Sequence, residues 1–96
     1  MKPNVTVIVG GKLSIVKGMR DEFIERSCDA VKQARANGDC IDFAVSIDPI
    51  EPNRVNVFEA WASTEALENF RGEGPDDALS ELIEGAEVGE YRASRN

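Results

Sequence analysis

Glu59 and Trp61 are the residues of this chain whose types and spacing best suit chemistry. They lie two positions apart in a β-type run, Arg54–Trp61, so their side chains should project from one face. An indole can stack on a planar molecule or donate its N–H to an oxygen, and a carboxylate buried on such a face gains a raised pKa that suits a base near neutrality. Core packing for Trp61 and a structural carboxylate for Glu59, bonded to backbone or arginine, are the ordinary alternatives.

Other kinds of catalytic site are disfavoured by what the chain lacks. It has no histidine, which removes the commonest general base and the commonest metal ligand. Cys28 and Cys40 alone do not form a metal-binding pattern, and no G-x-G-x-x-G follows a strand. We therefore expect no metal and no redox cofactor.

Length and charge set the broad class. The 96 residues predict one domain, 1–96, and the net charge of −7 opposes binding to nucleic acid or to an anionic membrane surface. The sequence shows no signal-peptide core and no apolar run of membrane-spanning length. Two cysteines do not suggest a disulfide framework. These features predict a cytoplasmic protein.

The hydrophobic periodicity predicts four strands and two helical regions. The strands are Val5–Leu13, Cys40–Ile47, Arg54–Trp61 and Ala86–Ala93; the helices are Met19–Asn37 and Thr64–Arg71, the latter followed by a short helical piece from Pro75 that Gly85 ends. The order βαββαβ predicts an α+β, ferredoxin-like fold, an antiparallel four-stranded sheet with its helices on one face.

Local signals support these elements. Ser63 is a good N-cap for the helix that follows Trp61, and Gly38 suits the end of the first helix. The turn 48–53, with two prolines, joins the second and third strands as a hairpin. Gly10-Gly11 suggests a β-bulge or a close approach of another group, with the bulge as the preferred interpretation.

The sheet face away from the helices predicts a partner. Asn56 and Phe58 should point to that face, and an uncovered apolar sheet needs a second layer. The economical solution is a homodimer in which two sheets pack face to face. On the helix side, Val57 shares the face of Glu59 and Trp61, and Phe23 and Phe70 should reach the same region from the two helices. All three are expected to contact a bound substrate, although ordinary core packing would also explain them.

Tyr91, on the last strand, is the remaining candidate. Its hydroxyl could be a second phenolic donor to a bound molecule. An edge or interface tyrosine is the alternative, and the sequence leaves both open.

Several short motifs occur in an order that resembles the antibiotic biosynthesis monooxygenase family, from about Val5 to Arg92. The best of them is the Glu-x-Trp-x-Ser-x-Glu-Ala-Leu run, and the others precede it: Val16-Lys17-Gly18, Gly38-Asp39-Cys40, and Asp48-Pro49 followed by Pro52-Asn53-Arg54. The resemblance implies a ferredoxin-like subunit, a dimeric α+β barrel, and a pocket between sheet and helices near Trp61.

The resemblance also implies a range of reactions. Some members oxidise quinols or polyketide phenols with oxygen and neither flavin nor metal, whereas haem-degrading members use a helical histidine. Phe70 stands about where many relatives carry a histidine, so haem chemistry is not expected. The expected function is cofactor-independent monooxygenation of an aromatic or quinol-type small molecule, with Glu59 and Trp61 as catalytic residues. A non-catalytic binding dimer, or an isomerase or decarboxylase, is the alternative.

Overall fold

The elements follow one another in the predicted βαββαβ order. The computed structural model describes residues 5–72 and 77–94. The elements are β1 (Val5–Ile15), α1 (Arg20–Ala36), β2 (Cys40–Ile47), β3 (Arg54–Trp61), α2 (Thr64–Gly72), α3 (Asp77–Ser80) and β4 (Ile83–Ser94). The strands form one antiparallel sheet in the order β2-β3-β1-β4. The predicted ferredoxin-like fold is therefore confirmed.

The register of the two central strands decides which side chains meet. In β1 and β3, Val7 pairs with Trp61 and Val9 with Glu59, and on the other side of β3 Phe43 pairs with Glu59. Paired residues point to the same face of a sheet. The face that carries Trp61 and Glu59 is the one covered by α1 and α2, because Ala34 of α1 and Leu67 of α2 share a buried cluster with Trp61.

The core beneath the helices divides into two clusters. The first, which we call the Trp61 cluster, comprises Val7, Val9, Ala34, Phe43, Trp61, Ala66 and Leu67. The second, the Phe23 cluster, comprises Ile15, Phe23 and Val55, with Leu79, Leu82 and Ile83 packed against it. Trp61 and Leu67, which the sequence periodicity put on apolar faces, are both fully buried in the Trp61 cluster.

The last strand begins earlier than predicted, and the helical piece before it ends earlier. We expected a helical piece with Leu82 and Ile83 on its apolar face, ended by Gly85. Instead α3 ends at Ser80, the Val16 N–H bonds to the Leu82 carbonyl at 2.9 Å, and Ile83 pairs with Ile15. Hydrogen bonds to β1 therefore extend β4 at the expense of the helix. Pro75 lies outside the described residues.

Gly11 marks a close approach of two backbones, and the predicted bulge at Gly10-Gly11 is wrong. The pairing of β1 with β4 is regular through both glycines, and its only irregularity lies between Ser14 and Ile15. A Cβ on Gly11 would stand 2.7 Å from the Val88 Cα and would overlap the Glu87 carbonyl oxygen. Only a residue without a side chain fits there.

The turn between β2 and β3 is held by two side chains. Arg20, at the start of α1, donates to the backbone carbonyls of Glu51 at 2.8 Å and Asp48 at 3.1 Å. The Asp48 carboxylate accepts from the Glu51 backbone N–H at 2.8 Å and from the Asn56 amide at 3.0 Å. These bonds, the Glu51 N–H first, hold the pKa of Asp48 at about 2.

The sheet face away from the helices carries exposed aromatic side chains. Phe58 and Tyr91 are 40% and 60% exposed, whereas Asn56 is engaged by Asp48 and Arg54. The homodimer predicted from this face stays a prediction. Within residues 5–72 and 77–94, no helix is long and apolar enough to cross a membrane.

Candidate functional site

A hydrogen bond joins the two residues that the sequence singled out. The Trp61 Nε1–H donates to Glu59 Oε1 at 2.9 Å. Alternation along β3 puts both side chains on the helix-covered face, with Trp61 wholly buried and Glu59 half-buried. The indole thus fixes the position of one carboxylate oxygen at the margin of the core.

Two phenylalanine rings pack around the indole. Phe70 of α2 lies 5.0 Å from Trp61 between ring centroids, with 38° between the ring planes. Phe43 of β2 lies 6.4 Å from Trp61 and 5.7 Å from Phe70, both in edge-to-face arrangements. Such pairs add stability beyond their buried area, and here they place a carboxylate beside an aromatic cluster.

Helix α2 is held over this cluster at both ends. Ser63 Oγ accepts the Ala66 N–H at 3.1 Å, which confirms the predicted cap and turns the chain directly after Trp61. Ala66 and Leu67 are then buried on the indole, and Phe70 follows one turn later. At the far end, Arg71 donates to Glu90 of β4 at 2.7 Å.

Phe43 and Cys40 are neighbours of the site that the sequence reasoning missed. Phe43 stands directly across from Glu59 in the hairpin register, and Cys40 pairs with Trp61. Burial, and after it the charges of Asp42 and Glu59, raise the pKa of the Cys40 thiol, so it stays protonated near neutral pH. The hairpin turn was the available signal, since the strands that flank it must place Phe43 near Glu59.

The other predicted site residues are distributed more widely. Phe70 lies on the indole, but Phe23 belongs to the separate Phe23 cluster, and Val57 packs towards that cluster. The expected meeting of Phe23 and Phe70 in one region does not occur, because the two side chains reach opposite ends of the sheet from different helices.

Tyr91 lies on the other face of the sheet from Trp61. It pairs with Ile8, which in turn pairs with Ala60, whereas Trp61 pairs with Val7. Its ring folds back over Gly89, so that a Cβ there would meet the Tyr91 hydroxyl at 2.6 Å. Within one subunit Tyr91 therefore cannot serve the same site as Trp61.

In the described part of the chain, no group of three or more histidine, cysteine or acidic residues is placed to hold a metal ion.

An open cleft of about 350 Å³ lies away from Trp61, between the start of α1 and the β2–β3 turn, and its lining includes Lys17, Arg20 and Asn53. That lining includes none of the residues predicted for the site.

Several solved structures share the fold. A conserved protein from Methanosarcina mazei is 19% identical with a TM-score of 0.80, and 92% of each chain is covered. A Deinococcus radiodurans protein, described as a "putative antibiotic biosynthesis monooxygenase", is 22% identical with a TM-score of 0.80 and 94% coverage of each chain. A Caulobacter crescentus protein with the same description is 19% identical with a TM-score of 0.75, over 99% of this chain and 92% of the other.

Sequence comparison assigns the family. No curated protein matches the chain significantly. The sequence model of the family described as antibiotic biosynthesis monooxygenase matches residues 6–75, which include all but the first residue of β1, then α1, the β2–β3 hairpin and α2. By this match the chain belongs to the antibiotic biosynthesis monooxygenase family.

Proposed function

We propose that this protein is a cofactor-independent monooxygenase that oxidises an electron-rich phenol or quinol with molecular oxygen. The observation that carries the proposal is the Trp61–Glu59 hydrogen bond, which holds a half-buried carboxylate beside a cluster of aromatic rings. Such a place offers both requirements of the reaction, an apolar surface for a planar ring and a base for its hydroxyl proton. Membership of the family supports the reaction class.

In this proposal Glu59 is the catalytic base. Its Oε1 accepts the indole N–H, and Oε2 takes the phenolic proton. The phenolate then gives one electron to O₂, and the two radicals combine to form a C–O bond at the electron-rich ring carbon. For an anthrol, the peroxide anion takes the proton that Glu59 held and becomes a hydroperoxide. Glu59 then removes the hydrogen on that carbon, and the electrons of the C–H bond form the C=O bond as the O–O bond breaks. One oxygen atom remains as the quinone carbonyl, and the other leaves as hydroxide, which becomes water with the proton now on Glu59.

Trp61 is a positioning residue in this scheme. It is wholly buried, and its N–H is already engaged by Glu59, so it acts on the substrate through the carboxylate. Of the two roles that the sequence suggested for the indole, donation of its N–H to a substrate oxygen is therefore not part of the proposal. Loss of the indole N–H would leave the Glu59 carboxylate in place but would no longer fix its position.

The proposed enzyme is a homodimer that buries the sheet face away from the helices. The partly exposed Phe58 and the exposed Tyr91 lie on that face, and glycines at positions 10 and 89 pair between them. A second sheet packed there would cover apolar area that is otherwise exposed to water.

The decisive experiment is a screen for oxygen uptake. Purified, metal-free protein is mixed with hydroquinones, naphthoquinols and anthrols in an oxygen electrode. We expect one O₂ consumed per anthrol converted to quinone, at a rate proportional to protein concentration. Uptake that occurs equally without protein, or that stops after chelation, would contradict the proposal.

The complete burial of Trp61 favours a second candidate, a non-catalytic small-molecule-binding dimer. A protein that only binds does not need an open indole or a freed base. This candidate predicts that a phenol binds, measured by calorimetry under nitrogen, while the oxygen electrode records no protein-dependent uptake.

A further inference from the structure

We propose that Phe70 is an internal gate, whose ring occupies the place of the substrate's aromatic ring until the substrate displaces it. The inference rests on the proposed function only in taking a planar phenol as the ligand. Phe70 then differs from a residue that lines the binding site. The site for the substrate's ring opens only when the Phe70 ring moves away.

The first argument is the position of the ring. Phe70 lies 5.0 Å from Trp61 between centroids, which is the separation at which a bound aromatic ring would stack on an indole. The carboxylate of Glu59 is bonded to the N–H edge of the same indole. A phenol in place of the Phe70 ring would therefore pack against Trp61, the residue whose N–H holds the Glu59 carboxylate.

The second argument is that, among the residues packed together around the indole, the Phe70 side chain is the one best able to move away. Trp61 and Leu67 are fully buried, and Phe43 is 7% exposed, whereas Phe70 is only partly buried. It also lies near the end of α2, two residues before the helix finishes at Gly72. A rotation of its side chain towards solvent would disturb neither the sheet nor the Ser63 cap.

The third argument is the weakness of the contact that ties this end of α2 to the sheet. Arg71 and Glu90 are joined at 2.7 Å, but their side chains are 48% and 52% exposed. An exposed ion pair contributes little because water screens it. The end of α2 can therefore move away from the sheet with a small loss of free energy when a ligand enters.

The test measures 1-naphthol binding by calorimetry under nitrogen, where no oxidation can occur. Phe70→Ala should bind at least ten times more tightly than the wild type, and Phe70→Leu should fall between them. Equal or weaker binding by Phe70→Ala, or no binding by either protein, would overturn the gate. Chemical denaturation establishes that each variant is folded, and Phe70→Leu keeps the test valid should the alanine variant fail to fold.

Fluorine NMR separates displacement from mere cavity filling. The wild type, with its four phenylalanines replaced by 4-fluorophenylalanine, is titrated with 1-naphthol. The Phe70 signal, assigned with Phe70→Leu, should acquire a larger H₂O/D₂O isotope shift as the ring moves into solvent. An isotope shift that stays constant or falls at saturation would mean that Phe70 lines the ligand, and the gate would be wrong.

A matched pair of variants tests the tie at the end of α2. Arg71→Ala should bind 1-naphthol about 1.5 to 5 times more tightly than the wild type, the range that an exposed ion pair supports. Arg26→Ala, which removes a similarly exposed 2.7 Å pair with Glu22 on α1, should leave the affinity for 1-naphthol unchanged. Equal affinities for the two variants would contradict the argument from the ion pair.

These measurements distinguish the gate from the enzyme. Tighter binding by Phe70→Ala without oxygen uptake by any variant would leave the gate standing and reject the monooxygenase. Oxygen uptake by the wild type with no gain of affinity in Phe70→Ala would do the reverse.

Discussion

Glu59→Gln should separate the activity of this protein from its stability. The amide oxygen of Gln can still accept the Trp61 N–H that Glu59 accepts at 2.9 Å, so the bond changes from charged to neutral. Charged hydrogen bonds contribute about 1.5–3 kcal/mol and neutral ones about 0.5–1.5 kcal/mol. Because Glu59 is only half-buried, water screening reduces the difference to at most about 1 kcal/mol.

The expected loss of melting temperature is correspondingly small. In a chain of this size, about 1 kcal/mol corresponds to roughly 4–8 °C. Turnover per folded molecule should fall by about 10²-fold or more, because the amide cannot take the phenolic proton. The assay combines oxygen uptake with the folded fraction from circular dichroism, measured for the same samples.

Trp61→Phe is the matched variant, and it should lose more stability and less activity than Glu59→Gln. It removes the N–H and leaves a cavity at a fully buried position, which costs about 2–3 kcal/mol. Turnover per folded molecule should fall only about tenfold, because the base remains but is no longer held. Undiminished turnover in Glu59→Gln would eliminate Glu59 as the base and refute this reasoning.

Three further predictions concern the fold and the assembly. Gly11→Ala should lower the free energy of unfolding by about 2–4 kcal/mol because its Cβ would meet the backbone of β4, whereas Gly10→Ala, with nothing within 4 Å of its Cβ, should stay within about 1 kcal/mol of the wild type in denaturant titrations. The pKa of Asp48 is about 2 in the folded state against 3.8 in the reference state, so the unfolded chain binds the proton first as the pH falls. The free energy of unfolding should therefore fall as the pH drops from about 4 to 2, and this fall should be shallower in Asp48→Asn. Light scattering at micromolar concentration should give a dimer, and Phe58→Glu should give monomers; a monomeric wild type would reject the interface.

The hairpin and its site show what periodicity can predict. Alternation in β3 put Glu59 and Trp61 on one face, and that required no knowledge of the rest of the chain. Their hydrogen bond was not predicted, because it depends on side-chain rotamers that are set by neighbours. The Ser63 cap was predicted and found, since it involves only residues three positions apart.

The errors came from contacts between distant parts of the chain. The start of β4 was misplaced because Leu82 and Ile83 have apolar spacing that suits a helix, and hydrogen bonds to β1 override that preference. The bulge at Gly10-Gly11 was predicted from glycine pairs in general, whereas the observed cause is the backbone of β4 pressed against Gly11.

The sequence by itself determined the element order, the two faces of β3 and the absence of histidine chemistry, because each follows from local periodicity or from composition. Only the tertiary structure decided that Phe23 belongs to another cluster than Phe70 and that Tyr91 points away from Trp61. These outcomes depend on strand order and register, which pair residues far apart in the chain. A one-residue change of register moves a side chain to the other face of the sheet, and no local pattern records it.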